Sequence, residues 1–84
     1  MKPRDLLQRV LTNPRNVRFA DFIRLVEAFG FTFARTSGSH RIYRRTGIVE
    51  LINIQEYQGE AKPYQIRQFL RLVERYNLLL ESDE

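Results

Sequence analysis

His40 is the single histidine of this chain and sits inside TSGSHRIYRR, residues 36–45. Imidazole exchanges protons near neutral pH better than any other side chain. Around it, residues 35–45 hold Arg35, Arg41, Arg44 and Arg45 and no acidic residue. That combination suits an internal attack in RNA. A base removes the 2′-hydroxyl proton, the oxygen attacks the adjacent phosphorus, and an acid protonates the leaving 5′-oxygen. Guanidinium groups offset the charge that builds on the phosphate oxygens. On residue type alone, a lone histidine is more often a polar residue that caps or pairs at a strand start. The residues by themselves leave both readings open.

Other side chains are candidates for supporting parts. Tyr43 is placed to stack on a base or to supply a proton, and it fits equally well as packing within a strand. Lys62 precedes Pro63 at the expected start of a helix, where backbone N–H groups also favour anions. Arg67, Arg71 and Arg75 recur every four residues and read first as a solvated helix face, with Arg71 spaced to pair Glu74. Thr36, Ser37 and Ser39 carry turn chemistry. Ser39 lacks the elbow and orienting partners that a nucleophilic serine needs. Glu50, Glu56 and Glu60 form no spaced ligand set. One histidine and no cysteine also make a transition-metal site a poor fit.

Charge points to the partner class. The net charge is +4, and all the basic residues except Lys2 and Lys62 are arginine. Three of the ten acids, Glu81, Asp83 and Glu84, lie in the last four positions. An arginine-dominated surface suits bidentate recognition of phosphate, so nucleic acid is the first partner to consider. The absence of cysteine excludes a disulfide framework and a cysteine nucleophile. Gln8 and Arg9 interrupt the apolar residues of the N-terminus, unlike a secretory leader, and no segment reaches transmembrane length. A cytoplasmic protein with no membrane association is expected.

Five stretches must position these groups. Leu6, Leu7, Val10 and Leu11 have helical spacing after Pro3, and Thr12-Asn13-Pro14 ends that helix. Residues 1–16 therefore read as a helix and linker appended to a main domain over 17–80, followed by an acidic, frayed tail at 81–84. Phe19, Phe22, Ile23, Val26 and Phe29 form one helical stripe, closed by Gly30, with Phe31 folding back on the last turn. FTFARTS, SHRIYRR and IVELINIQ then read as three antiparallel strands joined by short glycine turns, with a bulge near Gly38. Residues 55–62 read as a polar loop around Gly59. A last helix opens at Pro63, with Ile66, Phe69, Leu70 and Val73 inward, and Leu78-Leu79-Leu80 packs back afterwards. The expected class is α+β, with two helices on one face of a three-stranded antiparallel sheet and an extra N-terminal helix. From Phe19 onward the order α-β-β-β-α is that of double-stranded RNA-binding domains.

A helix ending in Gly30-Phe31, a strand, Gly38-Ser39-His40 opening a second strand with Ile42 and Tyr43, a third strand and an amphipathic final helix together form a pattern. Over about residues 17–76 it resembles the HicA family of bacterial and archaeal toxins from type II toxin–antitoxin systems. The resemblance implies a double-stranded-RNA-binding-domain-like fold and a small mRNA interferase; with one histidine and no cysteine, the expected chemistry is metal-independent and uses no cofactor. It implies that His40 is the functional histidine and that a HicB-type antitoxin covers the active region. Ser39, Arg41, Arg44, Arg45 and Lys62 are then the RNA-binding candidates, with Tyr43 as a candidate assistant to His40. Many members carry a proline and a nearby histidine or basic residue after the third strand, where this chain has Ile54-Gln55-Glu56-Tyr57. The alternatives are a non-catalytic RNA-binding module and a protein-docking adaptor with the same fold.

Overall fold

The computed structural model describes residues 1–81. Three helices and four strands follow in the order α1 (Pro3–Thr12), α2 (Phe19–Ala28), β1 (Thr32–Ser37), β2 (His40–Arg44), β3 (Ile52–Tyr57), β4 (Glu60–Ala61) and α3 (Pro63–Arg75). The strands form one antiparallel sheet in sequential order.

Both longer-range helices follow their apolar stripes. In α2, Phe22 and Val26 are fully buried together with Leu25, and Phe29 and Phe31 close the stripe just past the helix end. Gly30 makes this possible because it adopts φ +88°, a left-handed conformation that side chains with a Cβ resist. In α3, Pro63 sits in the first turn, where its missing N–H leaves no bond unmade. Phe69 then stands edge-on to Phe22, Phe29 and Phe31, with ring centroids 5.6, 5.6 and 5.7 Å away. This aromatic cluster ties both helices to the sheet through Tyr43, Ile52 and Ile54.

The structure departs from the sequence reading in several places. Helix α1 is no appendage: Leu6 and Val10, 3% and 1% exposed, belong to the same core, as does Val17 of the connecting segment. A small domain has too thin a core to leave such a stripe unused. The sheet has four strands, not three, because the expected loop over 55–62 is a hairpin. Gln58 and Gly59, at φ +50° and +81°, form its two-residue turn, the backbone that suits a tight antiparallel reversal. Val17 and Phe19 extend backbone hydrogen bonds onto this short strand and close that edge. The third strand begins at Ile52, not Ile48. Strand β2 ends at Arg44 and offers residues 48–51 no partner, so Val49 is 91% exposed.

The bulge lies between Phe33 and Arg35 and not near Gly38, which turns the β1–β2 hairpin with φ +62°. Leu78 and Leu80 do pack against the core. Glu81, expected to be frayed, is docked: its N–H donates to the Ala28 carbonyl at 2.7 Å, and its carboxylate accepts from Arg45 at 2.9 Å. The remainder of the acidic tail, residues 82–84, lies outside the described residues.

Candidate active site

Strand pairing decides which side chains meet. Opposite residues of an antiparallel pair share a face, and faces alternate along each strand. His40 stands opposite Gln55 and Ile42 opposite Asn53, whereas Arg41 stands opposite Ile54 and Tyr43 opposite Ile52. Tyr43, Ile52 and Ile54 are in the core with the helices. The His40 face is therefore the one turned away from the helices, and His40 is half-buried there.

A polar network surrounds the imidazole. His40 Nδ1 lies 2.5 Å from Asn53 Oδ1. Gln55 Nε2 donates to Ser39 Oγ at 3.1 Å, and Lys62 Nζ donates to Gln55 Oε1 at 2.8 Å. The Gln55 backbone N–H in turn donates to Oε1 of Gln65, a buried residue of α3, at 3.0 Å. Gln55 is thus a bridge that holds the lysine at the start of α3 against the serine beside His40. Its amide satisfies one hydrogen of the ammonium, which leaves two for a ligand. Ser39 accepts from Gln55 and keeps its own hydroxyl hydrogen to donate.

The sequence-derived candidates divide by face. Ser39 and Lys62 join His40. Arg44 shares its face, but four residues along an extended strand place it about 13 Å further on, beyond a single phosphate shared with His40. Arg35, opposite Ile42, also lies on this face. Arg41 points the other way, and its guanidinium stands 5.1 Å from the Phe33 ring centroid and 5.8 Å from that of Tyr43. Arg45 is ion-paired to Glu81. The structure therefore does not bring Arg41 or Arg45 together with His40.

Tyr43 is a correction. Its side chain is 0% exposed on the helix face, and its hydroxyl has no hydrogen-bond partner among the described residues. Burial pushes the phenol above its ordinary 10.0, against the nearby Arg41 charge that lowers it and with Glu27 adding to the rise. A group enclosed in the core and hard to ionise is not available to assist His40.

Sequence reasoning missed Asn53 and Gln55. The signal was present: in Ile52-Asn53-Ile54-Gln55 the polar residues alternate with buried isoleucines, which marks the open face of a half-buried strand.

Outside this region, a groove runs along α3 and is lined by Glu50, Gln68, Arg71, Leu72, Glu74 and Arg75. There Glu50 accepts from Tyr76 at 2.6 Å and from Arg75 at 2.9 Å. The Tyr76 bond, a backbone N–H and Arg75 hold its carboxyl below the ordinary 4.5. These contacts neutralise part of the expected α3 basic stripe, and the groove contains no His40 network residue. Among the described residues no three His, Cys, Asp or Glu side chains converge as metal ligands would, and no helix is long and apolar enough to cross a membrane.

Comparison with known proteins adds one finding. A family model described as the HicA toxin of bacterial toxin–antitoxin matches residues 19–74, two thirds of the chain. Neither curated proteins nor solved structures yield a significant match.

Proposed function

The chain belongs to the HicA toxin family of bacterial toxin–antitoxin systems, and from that premise we propose that it is a small endoribonuclease that cleaves mRNA through His40. The observation that carries this reading is the position of His40 on the open sheet face, beside a lysine and a hydroxyl held in place by Gln55. From α2 to α3 the order is that of double-stranded RNA-binding domains with one short extra strand, β4, before the last helix, which supports an RNA-facing sheet.

In this mechanism the imidazole takes the proton of a 2′-hydroxyl. The oxygen forms a bond to the adjacent phosphorus, and the bond from phosphorus to the 5′-oxygen breaks, which leaves a 2′,3′-cyclic phosphate. His40 then returns the proton to the departing 5′-oxygen. The Lys62 ammonium and the Ser39 hydroxyl donate to the phosphate oxygens, where negative charge develops. Arg35 and Arg44 bind flanking phosphates and set the register of the strand. Arg41 and Arg45 take no part at the scissile bond. A HicB-type antitoxin is the inhibitor, and it silences the enzyme by covering this face.

The test is cleavage of RNA by the purified wild type and by His40→Ala, with and without EDTA. Positioned acid–base groups contribute about 10²- to 10⁴-fold, so the variant loses at least about 10²-fold in rate while the wild type is indifferent to EDTA. Equal cleavage by both proteins removes His40 from the chemistry, and loss with EDTA assigns the reaction to a metal. Salt-sensitive RNA binding by both proteins without any cleavage would make the chain a binding module instead.

A further inference from the structure

We propose that Asn53 is a positioning residue that fixes the tautomer and orientation of His40, an inference that rests on the catalytic reading above. Asn53 Oδ1 is 2.5 Å from His40 Nδ1. A carboxamide oxygen can only accept, so Nδ1 carries the hydrogen and the lone pair of the neutral ring resides on Nε2. Free imidazole side chains favour the opposite tautomer, with the hydrogen on Nε2. Asn53 therefore selects the form in which the outer nitrogen is the base.

The geometry is rigid because both residues stand on paired strands. Asn53 is opposite Ile42, and His40 is opposite Gln55, so the two side chains are diagonal neighbours on one face. Ile52 and Ile54, buried on either side of Asn53 in sequence, pin the backbone from below. Gln55, the register partner of His40, is itself held by Gln65 and Lys62. The imidazole is thus gripped at Nδ1 by β3 while Nε2 is left for substrate. Asparagine orients the ring without adding a charge, unlike the carboxylate that plays this part in serine-protease triads.

The experiment has three proteins and two readouts. Long-range ¹H–¹⁵N NMR of the wild type, Asn53→Leu and Asn53→Asp reports the His40 tautomer at a pH where the ring is neutral. Steady-state RNA cleavage reports kcat and KM. Asn53 is exposed, so both replacements leave the core intact, which circular dichroism verifies. The expected result is an Nδ1–H tautomer in the wild type and in Asn53→Asp, and Nε2–H in Asn53→Leu. In Asn53→Leu kcat falls about 10- to 100-fold, the size of effect seen when a metal-bound histidine loses the partner that orients its ring, with KM unchanged and most of the rate restored in Asn53→Asp.

An Nε2–H tautomer in the wild type overturns the proposal, as does a tautomer change in Asn53→Leu that leaves kcat intact. The two readings fail separately. If His40→Ala cleaves normally, the catalytic reading is wrong; if His40→Ala is inactive but Asn53→Leu retains full rate, only the positioning role is wrong.

Discussion

Replacing Tyr43 by Phe separates a role in the core from a role in proton transfer. The hydroxyl is buried without a partner among the described residues, and the ring packs edge-on to Phe33 at 5.7 Å beneath the Arg41 guanidinium. Phe retains both ring contacts. An unsatisfied buried polar group costs about 1–3 kcal/mol, and removing it returns that amount. The opposing effect is the void left by one oxygen, roughly 10 Å³, which costs about 0.2 kcal/mol at ~24 cal/mol per Å³. Desolvation therefore wins, and Tyr43→Phe stabilises the fold by about 1–2.5 kcal/mol. For a domain of this size each kcal/mol raises Tm by about 4–8 °C. It also moves the urea midpoint up by about 0.3–2.5 M, for m-values of about 1–3 kcal/mol per M.

The same variant changes the alkaline limb of stability. The folded phenol titrates above its ordinary 10.0. Below about pH 10 both states keep the proton and nothing is lost; above it the unfolded chain ionises first, so stability declines as pH rises through the folded value. Tyr43→Phe removes this decline. Tyr76, raised chiefly by its bond to Glu50, is unchanged by the substitution and titrates alike in both proteins. Urea melts at neutral pH and above pH 10, together with an RNA-cleavage assay, decide the matter. A loss of stability greater than about 1 kcal/mol would mean that the hydroxyl has a native partner. Abolished cleavage at unchanged stability would return Tyr43 to the chemistry.

Two further outcomes follow from the site and its supports. Lys62→Ala removes an ammonium and leaves Gln55 Oε1 without its donor; the expected effect is weaker RNA binding and a slope of log affinity against log salt shallower by about 0.7. An unchanged slope, measured by fluorescence anisotropy, would show that Lys62 does not neutralise a phosphate. Gly30→Ala forces a Cβ into φ +88° and within 2.6 Å of the Glu81 carboxylate. Because that carboxylate ends a flexible side chain, the backbone term dominates, and a loss of about 1–2 kcal/mol is expected in chemical denaturation. Destabilisation that disappears when Glu81 is also replaced by Ala would instead locate the cost in the clash.

How legible each element was depended on how local its cause is. The stripes of α2 and α3 come from residues three and four apart, and the Gly30 stop is a single-residue property, so both were readable in order. Strand β4 was not, because Glu60 and Ala61, two residues at the end of a polar stretch, become a strand only when Val17 and Phe19 supply backbone partners from a distant segment. The same limit hid the place of α1: its apolar spacing was visible, but that it closes the main core depends on the path of the chain between helices. Asn53 and Gln55 alternated legibly with isoleucines, yet their meaning as partners of His40 and Lys62 comes from register across strands.

His40, its Gly-Ser context and the arginine-rich, acid-free span around it are properties of the sequence alone. With the helix–strand–strand–strand–helix order, they determined the family and the histidine to suspect, because residue type and short-range period suffice for both. Only the tertiary structure decided which cations accompany that histidine. A strand presents alternate residues to opposite sides, so Arg41, adjacent in sequence, faces away, while Lys62, twenty-two positions later, arrives through Gln55. The same alternation placed the Tyr43 hydroxyl in the core and left His40 on the open face.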